Sequence, residues 1–243
     1  MLHQRGDKSF LVLFSKKDYL PLINKITPTL NDAVTNLTDD ITILVGGFGE
    51  AGMPNELLAG VLETGITNLT LVSNNAGVGE TGMAALMRAG RVRRIICSFP
   101  RSAGSVVFEE CYAAGQLELE VVPQGTLSER IRAGGAGIGA FYLRTGVGTL
   151  LTEGKETRVI DGHTHVLEYP IHGDVALIKA DTADRWGNLA YHAAARNFGP
   201  VMAPAAALTI VQVRQVVPLG GIDPEHVVTP GIFVDRVWEC PNQ

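Results

Sequence analysis

A chain of 243 residues with 46% hydrophobic and 19% charged residues has material for a substantial core, in one large domain or two small ones. A net charge of −5, with no basic run and no basic patch interleaved with aromatics, argues against nucleic acid as the main partner. The longest apolar runs are far too short to span a bilayer, and three cysteines without C-x-x-C spacing, Cys97, Cys111 and Cys240, predict reduced thiols and a cytoplasmic location.

Phe10 to Phe14 lies between Lys8 and Lys16-Lys17, too short for a signal-peptide core and followed by no small-residue cleavage site. Residues 1–22 are therefore read as an N-terminal extension. Leu30 to Val34 predicts a short helix, and Asp39-Asp40 turns the chain into a first strand over 41–46. That strand ends in the glycine-rich turn from Val45 to Pro54, and Pro54 opens a helix over 54–64. Its glycines, which lack Cβ atoms, let a ligand approach the main chain over Gly46, Gly47, Phe48 and Gly49, and free N–H groups at the following helix start favour an anion or a developing negative charge.

Gly47, Gly49 and Gly52 also fit G-x-G-x-x-G, the fingerprint of an NAD-dependent oxidoreductase. That reading needs a carboxylate at the end of the next strand, and the strand over 69–73 ends in Asn74-Asn75 instead. Pro54 further removes one N–H that a pyrophosphate would use. A tight turn with no ligand remains the plain alternative.

Strand and helix alternate onward: helix 80–89, strand 92–98, helix 105–114, strand 117–122 and helix 126–133. This predicts an α/β fold with a mainly parallel sheet covered by helices on both faces, and ligands at the carboxyl ends of the strands. Three polar stretches should converge there: the glycine turn, Asn74-Asn75-Ala76-Gly77 and Pro123-Gln124-Gly125-Thr126. Gln124 precedes a helix whose Thr126 and Glu129 match a capping box, and its amide is placed to donate a hydrogen bond to an oxyanion. The alternative is a turn glutamine bonding its own backbone. Cys97, in an apolar run with no histidine beside it, reads as core.

The four glycines over residues 130–141 predict a loop pressed against its surroundings, with Arg130 and Arg132 either holding an anion or simply solvated. Asp161-Gly162 places the strongest two-residue turn signal inside a hairpin over 151–169. His163 and His165 share one face of it, but without a third ligand no metal site is predicted. A buried strand at 175–178, a polar turn at 184–189 and a long alternating strand over 208–217 follow. No linker or internal repeat interrupts the chain, so residues 23–243 are expected to form one domain.

The stretch Asp39-Asp40-x-x-Ile43-Leu44-Val45-Gly46-Gly47-Phe48-x-x-x-Gly52-x-Pro54 closely resembles the first signature of family I coenzyme A transferases. Ser73 to Gly77, Pro123 to Leu127, Ile131 to Gly137, Ala195 to Phe198 and Thr229 to Gly231 resemble that family's A (alpha) subunit over roughly residues 23–238. Within it, Ile96 to Arg101 and Asp184 to Leu189 look most like the 3-oxoadipate enzymes. The resemblance implies a CoA-transferase, Rossmann-like fold and ping-pong transfer of CoA from succinyl-CoA to a 3-oxo acid, 3-oxoadipate favoured and acetoacetate next. It implies no permanently bound cofactor, with a coenzyme A thioester as co-substrate.

The family's nucleophile is a glutamate in a Ser-Glu-Asn-Gly motif of the B (beta) subunit. No Glu-Asn-Gly occurs here, so the resemblance implies half of an enzyme, completed by that B subunit in an A2B2 heterotetramer. Gln124 corresponds to the oxyanion donor, and the glycine turn with Asn74 and Asn75 to the wall of the acyl pocket. For a dicarboxylic 3-oxo acid, Arg101 is a candidate clamp on the second carboxylate, the equal alternative being a surface arginine at a strand end. Asp40 departs from a Gly or Asn preference, and His192-Ala193 replace a basic pair. The competing class is a non-catalytic ligand-binding module of related fold, which would need no partner carrying Ser-Glu-Asn-Gly.

Overall fold

The computed structural model describes residues 23–101 and 105–240; the extension expected at 1–22 lies outside them. In chain order the strands are β1 (Ile26–Thr27), β2 (Thr42–Val45), β3 (Leu69–Asn75), β4 (Val92–Phe99), β5 (Glu118–Val121), β6 (Phe141–Leu143), β7 (Thr157–Ile160), β8 (His163–Glu168), β9 (Gly173–Asp184), β10 (Leu189–Ala190), β11 (Ala206–Val217) and β12 (Arg236–Glu239). Nine of them form one sheet in the order β1-β12-β11-β9-β2-β3-β4-β5, with β10 on β9. Every pairing along that order is parallel, and only β10 runs antiparallel. From β2 the chain steps outward to β5, then returns to the other side of β2 at β9, so the strand order reverses between β2 and β9.

The central strands are apolar on consecutive residues because both their faces are covered. Ile43, Val45, Leu69, Leu71, Ile95, Cys97 and Leu177 pack with Leu57, Leu58 and Val61 of the Asn55–Thr64 helix, and with the helices Met83–Arg88 and Val106–Ala113. The alternate residues Leu44, Val72, Ile96, Ala176 and Ile178 pack with Leu127 and Ile131 of the Gln124–Gly135 helix and with Met202. The two-residue period of each strand thus decides which helix a side chain meets.

The α/β prediction holds, with local corrections. The capping box does not form: the helix begins at Gln124 with Pro123 as its N-cap, and Thr126 points inward, its Oγ1 buried without a partner. Residues 130–135 are helix rather than loop, because Gly134 and Gly135 serve close approach. A Cβ on Gly134 would lie 2.2 Å from the Ile171 carbonyl oxygen, and one on Gly135 3.0 Å from Pro204. Asp40 adopts φ +65°, which explains why Gly or Asn suits that position. The hairpin is as expected: Ile160 pairs with His163 across Asp161 (φ +48°) and Gly162 (φ +74°), and β6 adds a third strand. β9 runs well beyond the four apolar residues that announced it, and the short strands β1, β10 and β12 were not anticipated.

An ion network ties the edge strand β5 to the following helix. Glu120 on β5 meets Arg94 on β4 and Arg130 on the helix, the latter at 2.8 Å. Burial pushes the Glu120 carboxyl up, but Arg130 and then Arg94 outweigh it and hold the group below the ordinary carboxylate range. In the unfolded chain the group takes a proton near its usual value of about 4.3. Its ionised form therefore stabilises the fold above that value, and the contribution is lost as pH falls through the depressed folded value. Thermal midpoints of the wild type should drop more steeply below about pH 5 than those of Glu120→Gln. Parallel pH profiles by circular dichroism would show that Glu120 carries no such linkage.

Candidate active site

Asn74 continues the set of Val72 on β3, and Ser98 that of Ile96 on β4, so both project toward the face on which the Gln124–Gly135 helix packs. The register pairs Ser73 with Cys97 and Asn75 with Phe99, which sets Asn74 abreast of Ser98. The first residue of the helix then closes the group. Gln124 Nε2 donates to Asn74 Oδ1 at 2.8 Å, and Ser98 Oγ donates to the same oxygen at 2.8 Å or to the Asn74 carbonyl at 3.0 Å. Asn75 takes the opposite face. Its Nδ2 donates to the Gly49 carbonyl at 3.4 Å and its Oδ1 accepts from the Gly77 N–H at 2.9 Å.

The predicted convergence at the strand ends is therefore present. Phe48, Gly49, Asn74, Asn75, Ser98, Phe99 and Gln124 enclose a cavity of about 430 Å³. Asn74 and Asn75 are buried, whereas Phe48 and Phe99 stand half-exposed at the rim. None of these lining side chains is an acid, a base or a thiol. The wall offers amide donors and apolar surface, and its one hydroxyl, Ser98, is turned to Asn74 with no base among the lining residues to activate it.

The glycine turn works differently from the backbone cradle expected of it. The Gly46 N–H donates to the Leu177 carbonyl at 2.9 Å, the Gly47 N–H to Asn197 Oδ1 at 3.0 Å and the Phe48 N–H to the Ala51 carbonyl at 3.0 Å. These donors are committed within the protein. Gly46 and Gly47 are buried behind the cavity, and Gly47, at φ +128°, would bring a Cβ to 2.9 Å from Met53 Cε. Phe48 and Gly49 reach the cavity and those two do not. Asn197 is the clasp: besides accepting from Gly47, its Nδ2 donates to the Ala51 carbonyl at 2.9 Å.

Arg101 stands past the end of β4 with its side chain 75% exposed and Nε 3.7 Å from Glu109 Oε1, outside the cavity lining. Ser98, Phe99 and Asn197 were not foreseen as site residues. The signal for Ser98 was available in the matching alternations Val72-x-Asn74 and Ile96-x-Ser98 on consecutive strands.

A second cavity of about 590 Å³ opens where the strand order reverses, with Glu50 and Gly52 on one side and Lys179, Asp181, His192 and Arg214 on the other. Arg214 Nε lies 2.9 Å from Asp181 Oδ1 and holds that carboxyl below its usual range. His192, one of the departures from the signature, stands in this wall. Burial pushes the Cys97 thiol up to about 12, so it stays protonated in the core as expected. His163 and His165 each turn Nδ1 to a nearby main-chain oxygen at 2.8 Å. Among the described residues no group of three or more metal-ligating side chains is assembled, and no helix is long and apolar enough to cross a membrane.

A family profile described as Coenzyme A transferase matches residues 27–239. The chain is 62% identical over 216 residues to the A subunit of the 3-oxoadipate CoA-transferase of Pseudomonas putida, covering 89% of this chain and 94% of that one. It is 44% identical over 215 residues to the A subunit of a probable succinyl-CoA:3-ketoacid coenzyme A transferase of Bacillus subtilis, covering 88% and 90%. Among solved structures, it superposes on an acyl-CoA transferase from Escherichia coli O157:H7, in a thioester complex with CoA, with a TM-score of 0.77 at 21% identity. That match covers 90% of this chain and 48% of the other, so the chain spans about half the length of that structure.

Proposed function

The chain belongs to the coenzyme A transferase family, and on that premise we propose that it is the A subunit of a heteromeric enzyme moving CoA from succinyl-CoA to a 3-oxo acid, 3-oxoadipate first and acetoacetate second. One observation carries the reading: a cavity at the strand ends lined with amide donors and lacking a carboxylate, a thiol or any base to activate its serine. Such a wall is half of a covalent-catalysis site. The missing half is a glutamate of the B subunit. We place the two subunits in a cytoplasmic A2B2 heterotetramer, with residues 23–243 as the transferase domain and 1–22 as an extension.

In this reading the partner's glutamate attacks the thioester carbonyl of succinyl-CoA, and the carbonyl oxygen takes up negative charge. Gln124 donates to that oxyanion with the amide hydrogen that Asn74 does not use. Collapse expels the CoA thiolate and leaves a glutamyl–succinyl anhydride. The thiolate then attacks the glutamyl carbonyl, forming glutamyl-CoA and releasing succinate. The 3-oxo acid carboxylate repeats the two steps in reverse and leaves as the new thioester. Each step passes through an oxyanion that needs a donor, while Phe48 and Phe99 form an apolar rim for the acyl chain.

Intact mass of the assembled enzyme after incubation with succinyl-CoA tests the assignment. This chain should keep its mass while the partner gains CoA. A CoA adduct on this chain would overturn the reading and direct attention to its own glutamates, Glu50 first.

Arg101 lies just beyond the strand that supplies Ser98 and Phe99, separated from it by Pro100, and its exposed guanidinium is weakly held by Glu109. We assign it the second carboxylate of 3-oxoadipate. Arg101→Met should raise KM for 3-oxoadipate much more than for acetoacetate, and equal effects in steady-state kinetics would remove Arg101 from the site.

A further inference from the structure

We propose that Ser98 is a positioning residue that aims Gln124 through the side chain of Asn74. The inference rests on the reading of Gln124 as oxyanion donor given above. Asn74 Oδ1 has two lone pairs and receives two donors, Ser98 Oγ and Gln124 Nε2, each at 2.8 Å. Turning the Asn74 amide over would set its Nδ2 hydrogens against those of Gln124 and oblige Ser98 Oγ to accept instead of donate, so both contacts as they stand depend on this orientation. Two donors on one oxygen hold the amide in this orientation, inside a residue only 5% exposed.

The lock has a consequence for each amide nitrogen. Gln124 Nε2 spends one hydrogen on Asn74 and keeps the other, which has no acceptor among the described residues. Asn74 Nδ2 likewise meets no acceptor among them. Both donors belong to residues lining the same cavity. The single Ser98 hydrogen is shared between Oδ1 and the Asn74 carbonyl, so Ser98 acts on Asn74 and has no hydrogen left for a substrate. Its removal leaves Oδ1 with one donor, frees the Asn74 amide to rotate and takes away the anchor of Gln124.

Steady-state kinetics of Ser98→Ala, Gln124→Ala and the double variant, all in the assembled enzyme, test this. Ser98→Ala should lower kcat about tenfold, the equivalent of one hydrogen bond, with KM unchanged. Ser98→Thr, which keeps the hydroxyl, should restore kcat. In the Gln124→Ala background Ser98→Ala should cost nothing further, because the residue it positions is already gone. Ser98→Cys fills the same space with a weak donor and should also be slow, which keeps the test open should the alanine variant fold poorly.

A raised KM at unchanged kcat would overturn the inference, since Ser98 would then touch substrate directly. Losses that multiply in the double variant would overturn it as well. Wild-type kcat in Gln124→Ala would sink the oxyanion assignment together with this inference, whereas a slow Gln124→Ala beside a fast Ser98→Ala would sink only the latter.

Discussion

Replacing Gln124 by alanine in the assembled enzyme should lower kcat by about 10²–10³-fold, the usual cost of deleting one oxyanion donor, while KM for either acid stays nearly constant. Gln124 is exposed at the first position of its helix, where Pro123 already serves as N-cap without a side-chain bond, so truncation removes one contact to Asn74 and little else from the fold. In the proposed oxyanion role the amide hydrogen matters only when the carbonyl oxygen becomes negative, which separates kcat from KM. Gln124→Glu sharpens the expectation. It keeps the length and branching of the side chain, yet at neutral pH it offers only acceptors, so it should be at least as slow as alanine. A rise in KM at wild-type kcat in both variants would assign Gln124 to ground-state binding instead.

The candidate site was legible wherever the grouping of residues follows from chain order. Parallel strands place their carboxyl ends on one edge, so Phe48, Gly49, Asn74, Asn75 and Gln124 could be brought together from the alternation of strands and helices alone. What escaped needed register. Ser98 becomes a neighbour of Asn74 only once β3 and β4 are aligned residue by residue, and Asn197 reaches Gly47 from 150 positions away. The glycines misled in two directions. Those at 46 and 47 are devoted to close packing and internal hydrogen bonds, and those at 134 and 135 permit helix contacts where their number suggested a loop. In each case the decisive atoms belong to a distant segment, Leu177, Asn197, Ile171 or Pro204, that no local pattern names.

The largest stability effect is expected at Glu168, far from the cavity in sequence. Its side chain is only 5% exposed on β8, paired with Lys155 and 3.8 Å from Arg130 Nε. Arg130 also donates to the Tyr169 carbonyl at 2.8 Å and to Glu120, so the small antiparallel sheet, the Gln124–Gly135 helix and β5 meet in one chain of alternating charges. Glu168→Ala removes the acid between two bases, leaving Arg130 with Glu120 alone and Lys155 with no carboxylate in this group. Breaking a buried pair this way costs about 3–5 kcal/mol, and because Lys155 is partly exposed and can turn to water, the lower end of that range applies. The midpoint of urea unfolding of this chain should fall accordingly with an unchanged slope. Adding Lys155→Met to Glu168→Ala should recover part of the loss, since the stranded charge is then gone. Additive losses would instead locate the cost in packing around the Glu168 methylenes, and the helix that presents Gln124 would then be held by its apolar face and by Gly134 against Ile171 rather than by charge.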